Sequence, residues 1–223
     1  MKRFINLYTI LGISFLFLFI LLLILLNFDK AVIAESGGEV GLSHINNLVK
    51  YEFNDNIDFM TDLLLYVTFI VVAYAVCKGL YQLITKKSLY KVDKSIIIFG
   101  ISLIVMVVLW LLFTKVMKVN IRPTHDDRNS FPSIHVMVAT YLALASHAFL
   151  CLNDRDKLVK YSSLALAIII IVIITISRVA AGMHYITDVT GGLCIGLFLY
   201  FTTFGIIKVF KKKKEKVETE VQE

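Results

Sequence analysis

Residues Ser177–Asp188 read SRVAAGMHYITD and join two apolar runs, at 161–179 and 186–209. A transmembrane helix needs about 20 mostly apolar residues, so each run is long enough to cross a bilayer. The connection carries an arginine, a histidine and an aspartate, and ionisable side chains at a membrane edge are costly to keep. We therefore expect two membrane helices with a functional site at the turn that joins them.

The rest of the chain is equally apolar. Hydrophobic residues make up 58% of the 223 residues, and the mean hydropathy is +0.78. Six apolar runs have membrane length, at 4–27, 59–85, 95–114, 133–151, 161–179 and 186–209. This composition predicts an all-α fold, a polytopic membrane bundle of six transmembrane helices. We expect one domain over residues 1–210 and a solvated, disordered cytoplasmic tail over 211–223.

The formal net charge of +6 is unevenly distributed. Basic residues cluster on alternate connections, at 2–3, 86–94, 155–160 and 208–214. The positive-inside rule assigns these connections, and so both termini, to the cytoplasm. The acidic loop 28–58, which includes Asp58, then lies outside together with the Ser177–Asp188 connection. We expect a cell-membrane protein whose site opens on the extracytoplasmic face.

Other features exclude rival classes. The basic residues sit at membrane borders without interleaved aromatics, which favours anionic lipid over nucleic acid as their partner. The apolar run from Phe4 to Phe28 exceeds a signal-peptide core, so we expect an uncleaved first helix. Cys77, Cys151 and Cys194 lack CxxC spacing and are expected as core residues.

Two further polar clusters lie at the ends of apolar runs. Lys115 and Arg122 are seven residues apart and share a face if the helix continues, and Pro123 ends that helix. Pro132 and Ser133 suit the first turn and cap of the next helix, whose free N–H groups and dipole attract an anion. Alone, each cluster has a structural explanation, as basic residues at a membrane border or as a polar helix cap.

The third cluster contains a potential nucleophile. His184 and Asp188 are four residues apart, which makes them neighbours on one face of a helix. A carboxylate bonded to one imidazole nitrogen fixes the tautomer and leaves the other nitrogen free to attack. An ion pair that bridges two helices is the structural alternative.

Together the three clusters resemble the type 2 phosphatidic acid phosphatase (PAP2) superfamily. The superfamily pattern is Lys, six residues, Arg-Pro; then Pro-Ser-Gly-His; then Ser-Arg, five residues, His, three residues, Asp. This chain has every spacing of that pattern, at Lys115, Arg122-Pro123, Pro132-Ser133, His135, Ser177-Arg178, His184 and Asp188. The motif region covers 115–192, and six helices extend the likeness over nearly the whole chain.

The resemblance implies roles for seven residues. His184 is the nucleophile that becomes phosphohistidine, His135 is the acid and then the base, and Asp188 orients His184. The substrate phosphate is bound by Lys115, Arg122, Ser133 and Arg178. Three cations supply the charge that Mg²⁺ would otherwise provide, so we expect no metal and no other cofactor.

The resemblance also implies the substrate class, a membrane lipid phosphate. We expect hydrolysis of polyprenyl (undecaprenyl) diphosphate, with phosphatidylglycerophosphate or phosphatidic acid as the alternative substrate. Ile134 replaces the usual glycine, as in a related branch of inositol phosphotransferases, which leaves transfer to an alcohol open. A non-catalytic lipid-binding protein is a further alternative, and the oligomeric state is left open. The high usage of Lys, Ile and Asn suggests an AT-rich bacterial source.

Three features outside the pattern have simpler interpretations. Thr124–Arg128 is expected to be a solvated loop, although His125 and two aspartates leave a divalent ion possible. Gly192 and Gly196 form a GxxxG that we assign to close packing within the bundle. His44 and His147 are given no role.

Overall fold

The structure is a computed structural model that describes residues 7–35, 37–124, 128–153 and 156–220. Its α-helices are α1 (Leu7–Leu25), α2 (Ser43–Asn47), α3 (Asp55–Thr68), α4 (Ile70–Lys86), α5 (Lys94–Leu111), α6 (Ile134–Asn153), α7 (Lys157–Ala180) and α8 (Ile186–Glu220). A short hairpin pairs β1 (Ala31–Val32) with β2 (Glu39–Val40), Ala31 opposite Val40.

Six helical segments in the described residues are long and apolar enough to cross a membrane, which confirms the predicted fold class. The second is divided at Phe69, where α3 ends and α4 begins. The third extends beyond α5 by one π-type turn, Leu112–Val116.

Helices α6 and α8 form the centre of the bundle. In their most apolar 18-residue windows 61% and 50% of the residues are buried, against 11–22% in the other four spans. The outer helices therefore present their apolar side chains to the surroundings, as expected in a lipid bilayer. Helix α1 packs along α8, and α7 packs along α6.

Glycines allow α8 to approach α6 closely. A Cβ on Gly192 would lie 2.5 Å from the carbonyl oxygen of Ser133, and one on Gly196 would lie 2.8 Å from that of Met137. The predicted role of this GxxxG in packing within the bundle is confirmed. Close approach at Gly192 also brings the start of α8 against the start of α6.

The segment between α1 and α3 lies over the same end of the bundle. Val40 and Ala34 of the hairpin region pack with Tyr185, which precedes α8. The side chain of Asn46 accepts a hydrogen bond from the backbone N–H of Thr187 at 3.3 Å. The connection between α7 and α8 is thus covered by protein.

Several local predictions were wrong. The chain leaves the helix after Val116, so Lys115 and Arg122 do not share a helical face. Pro132 precedes α6, which begins at Ile134. Asp58 belongs to α3 rather than to a loop.

Two further corrections concern the tail and the cysteines. Helix α8 continues to Glu220, so most of the tail is helical, because Lys and Glu are good helix formers and the tail contains no Gly or Pro. Cys77 is exposed rather than in the core, since it lies on an outer face of α4, whereas Cys194 is buried.

Candidate active site

Asp188 is the centre of a buried hydrogen-bond network. It lies in the first turn of α8 and is completely buried. Its Oδ1 accepts a hydrogen bond from Asn120 Nδ2 at 3.0 Å. Its Oδ2 accepts one from the backbone N–H of Tyr185 at 2.8 Å and another from Ser130 Oγ. The carboxylate is thereby fixed in one orientation.

Ser130 connects His184 to Asp188. The distance from His184 Nδ1 to Asp188 Oδ2 is 3.7 Å, too long for a hydrogen bond, whereas Ser130 Oγ lies 3.2 Å from Nδ1. Because the Ser130 hydroxyl donates to Asp188, it can only accept from His184, which assigns the proton to Nδ1. The predicted carboxylate–imidazole pair is therefore relayed, because His184 precedes α8 instead of lying on its face.

Some buried polar atoms of the motif have no hydrogen-bond partner within the described part of the chain. They include His184 Nε2, Arg178 Nε and Ser133 Oγ. Buried polar groups are nearly always paired, because leaving one unpaired costs about 1–3 kcal/mol. Such a group in a native structure requires an explanation, which the proposal below offers.

The environment of His184 keeps its ring neutral. The residue is 4% exposed. Burial, with the positive charges of Arg178 and Arg122, outweighs Asp188 and lowers the pKa of His184 to about 4. Near neutral pH the Nε2 lone pair is available, as a nucleophile requires.

Two carboxylates of α3 face the other motif residues. Arg178, only 1% exposed, donates from Nη1 to Asp58 Oδ1, and the same nitrogen lies 3.9 Å from Asp62 Oδ1. His135 Nε2 lies 2.8 Å from Asp62 Oδ1. Helix α3 thus forms one wall of the site.

The remaining predicted phosphate ligands differ in how close they lie to the other site residues. Arg122 lies near enough to both histidines for its charge to act on them. The Ser133 N–H donates to the Asp188 carbonyl oxygen at 2.9 Å, so this N–H is occupied rather than free for an anion. Lys115 is exposed, and within the described residues its side chain makes no hydrogen bond or ion pair. Hydrogen bonds therefore connect Ser133 and His184 to Asp188, and α3 connects His135 to Arg178, whereas Arg122 acts on both histidines through its charge.

Asn129 ties the Lys115 segment to the site. Its Nδ2 donates to the Phe113 carbonyl oxygen at 2.9 Å, and its Oδ1 accepts from the Val119 N–H at 3.0 Å. Asn129 directly precedes Ser130, the relay residue. Its hydrogen bonds therefore connect the π-type turn to the segment that carries the relay. Lys115 lies on that turn.

Sequence analysis missed four site residues: Ser130, Asn120, Asp58 and Asp62. Ser130 lies just before the Pro132-Ser133 motif, but nothing in its spacing pointed to His184. Asp58 and Asp62 had a signal, because two carboxylates one helical turn apart at the start of a membrane span are costly. Asn120 had none, since its partner is distant in sequence.

A metal site is not formed by the described residues, in which no three His, Cys, Asp or Glu side chains are grouped to hold an ion. The alternative ion site at His125 and the adjacent aspartates falls largely outside the described residues, because 125–127 are among those not described.

Fold and site define a polytopic helical membrane protein with a buried His–Ser–Asp relay at one end of its bundle. Residues 109–212 match the PAP2 superfamily, which confirms the resemblance carried by the motifs.

Two relatives extend this comparison. The chain is 35% identical over 94 residues to phosphatidylglycerophosphatase B of Bacillus subtilis, which is 41% of this chain and about half (46%) of that protein. It also shares its fold with the crystal structure of a transmembrane PAP2 type phosphatidylglycerolphosphate phosphatase from Bacillus subtilis. That similarity has a TM-score of 0.54 and 23% identity, and covers 91% of this chain and 96% of the other.

Proposed function

We propose that this protein is a membrane lipid phosphatase that acts through a phosphohistidine intermediate. The observation that supports this best is the state of His184: Nδ1 is held by Asp188 through Ser130, and the buried Nε2 has no partner among the described residues. A protein that only binds lipid phosphate needs cations, but it does not need a neutral imidazole with one oriented lone pair.

Each step of the proposed reaction uses a group of the site. The Nε2 lone pair of His184 attacks phosphorus as the bond from phosphorus to the lipid oxygen breaks, and that oxygen receives a proton from His135. His135 then takes a proton from water as the water oxygen attacks the phosphohistidine. The N–P bond breaks, its electron pair returns to Nε2, and phosphate departs.

Cations stabilise the charge that develops during both steps. In this proposal Arg178 and Arg122 bind the phosphoryl oxygens, and Ser133 Oγ is a further donor. We retain Lys115 as a ligand on the basis of the motif alone, reached by a movement of its exposed side chain. No step of this scheme uses a metal ion, and metal independence is part of the proposal.

Phosphatidylglycerophosphate is the substrate that we propose first, because the relatives named above are phosphatases of that lipid. Polyprenyl diphosphate, which sequence analysis ranked first, becomes the second candidate, and phosphatidic acid the third. We propose that both termini are cytoplasmic and that the site opens outward, from the distribution of basic residues.

The test is phosphate release by detergent-purified protein in EDTA, with the three lipids assayed in parallel. His184→Ala should lose at least about 10³-fold in kcat, because the nucleophile is removed. His44→Ala is the matched control, since that side chain is 92% exposed and lies beside Asp29 rather than a motif residue. No release of phosphate from any lipid by the parent protein would refute the function, and equal release by His184→Ala would refute the nucleophile.

Transfer to an alcohol is the second candidate function, and Ile134 is the observation that favours it. An added alcohol acceptor would divert product from free phosphate to a phosphodiester. Binding of lipid without turnover in the parent protein, lost in Arg122→Ala, would instead indicate a non-catalytic lipid-binding protein.

A further inference from the structure

Asp62 and His135 form a contact that no motif predicts. Asp62 lies on α3 and His135 in the first turn of α6, and the distance from Oδ1 to Nε2 is 2.8 Å. This is a normal length for a hydrogen bond between a carboxylate and an imidazole. The imidazole N–H is the donor, and the carboxylate is the acceptor.

The need to neutralise the buried Arg178 does not explain why the Asp62 carboxylate lies in the site. Arg178 already has a counter-ion, because its guanidinium donates to Asp58 Oδ1, whereas Asp62 is 3.9 Å away. A second carboxylate beside a phosphate-binding site also opposes an anionic substrate. Its retention there is explained if it performs a task that Asp58 does not.

Helix α3 is fixed relative to the reacting groups. The backbone N–H of Asn54, which caps α3, donates to the Ala181 carbonyl oxygen at 3.1 Å. Gly182 has φ +69°, and a Cβ there would lie 2.7 Å from the Tyr51 carbonyl oxygen. The turn that carries His184 is therefore packed directly on the residues that begin α3, so Asp62 has a defined position in the site.

We propose that Asp62 is the positioning residue for His135 in the leaving-group step. The inference rests on the proposed function and deepens it. Asp62 holds the Nε2–H, which fixes the ring and leaves the Nδ1–H of the imidazolium as the proton for the leaving oxygen. As the bond from phosphorus to that oxygen breaks, its electron pair takes the Nδ1 proton, and Nδ1 keeps the lone pair of the N–H bond.

The test compares two leaving groups. A lipid alkoxide needs a proton to depart, whereas 4-nitrophenolate departs without one. kcat/KM includes only the steps up to departure of the first product. Asp62→Asn should therefore lower kcat/KM about 10–100-fold for the lipid phosphate, part of the usual contribution of general acid catalysis. For 4-nitrophenyl phosphate we expect less than about a threefold change in kcat/KM.

Asp55→Asn is the matched control, because Asp55 is an exposed carboxylate on the same helix. It should leave kcat/KM unchanged with both substrates. Equal losses in Asp62→Asn with both substrates would overturn the proposal, since a general disturbance of the site does not distinguish leaving groups. No loss, or a gain, would also overturn it. Failure of the proposed function would appear differently, as absence of lipid turnover in the parent protein.

Discussion

At the scale of single residues, Ser130 decides how Asp188 acts on His184. The aspartate is 3.7 Å from the ring, and the hydroxyl occupies the position between them. Ser130→Ala should remove the acceptor for the Nδ1 proton, so more of the ring adopts the wrong tautomer. We expect kcat to fall about 10–100-fold with little change in KM, because phosphate binding does not use this hydroxyl.

Steady-state kinetics on the purified variant measure that effect. Ser162→Ala is the control, since its hydroxyl is exposed and bonds only within its own helix. A kcat for Ser130→Ala equal to that of Ser162→Ala would show that the relay is unimportant.

The protonation of His184 predicts a pH dependence. Burial and two arginines lower its pKa from 6.5 to about 4, so the neutral, nucleophilic form persists above pH 4 and is lost as the pH falls through that value. Protonation of His184 should therefore not lower the single-turnover rate of phosphoenzyme formation at pH 5–6, where an ordinary histidine would already be protonated. The assignment would be contradicted if this rate declined around pH 6.5 and the decline persisted when each of the other histidines was replaced.

Lowering the pKa of His184 also affects stability. Between pH 6.5 and about 4 the unfolded chain binds a proton at this residue that the folded chain does not. The free energy of unfolding therefore decreases as the pH is lowered through that interval. The melting temperature of the parent should therefore fall more between pH 7 and 5 than that of His184→Gln, which lacks the titrating group. Parallel changes in the two proteins would show that other groups are responsible.

At the scale of elements, the crossing of α6 and α8 determines the site. Gly192→Ala would place a methyl group 2.5 Å from the Ser133 carbonyl oxygen and 3.0 Å from Val136 Cβ. Backbone atoms cannot move as a flexible side chain does, so we expect a cost of about 1–3 kcal/mol. The added methyl group should push α6 and α8 apart, which we expect to measure as a lower melting temperature in detergent and reduced activity.

Gly100→Ala is the control for that experiment. It lies within α5, and a Cβ there meets nothing within 4 Å. Because alanine is the better helix former, this variant should be unchanged or stabilised by up to about 1 kcal/mol. Equal melting temperatures for the Gly192 and Gly100 variants would mean that α6 and α8 do not need their close approach.

At the scale of the whole molecule, the proposed topology has both ends of the chain in the cytoplasm and the site on the outer face. We expect Glu52→Cys, at the site end, to react with a membrane-impermeant thiol reagent in intact cells. Ser88→Cys, on the connection between α4 and α5, should react only after the membrane is permeabilised. Both experiments need a cysteine-free background, because Cys77 is exposed. The reverse pattern would invert the proposed orientation.

The chemistry of the site was predictable where it depends on spacing. His184 and Asp188 follow an apolar run at fixed intervals, and the arginine ten positions before Asp188 cannot be reconciled with an ordinary lipid-facing turn. Lys115 and Arg122 show the limit of this reasoning. Their seven-residue spacing predicted one helical face, but the helix ends after Val116 and residues 117–122 are not helical.

The sequence by itself determined the class of fold, because hydrophobic length is a local property of the chain. From motif spacing, which is also local, it predicted the residues that we propose to react. Only the tertiary structure decided that Ser130 stands between His184 and Asp188, and that Asp58 and Asp62 of α3 face Arg178 and His135. These contacts join residues 54 to 120 positions apart, and such distances are fixed by helix packing rather than by any local pattern.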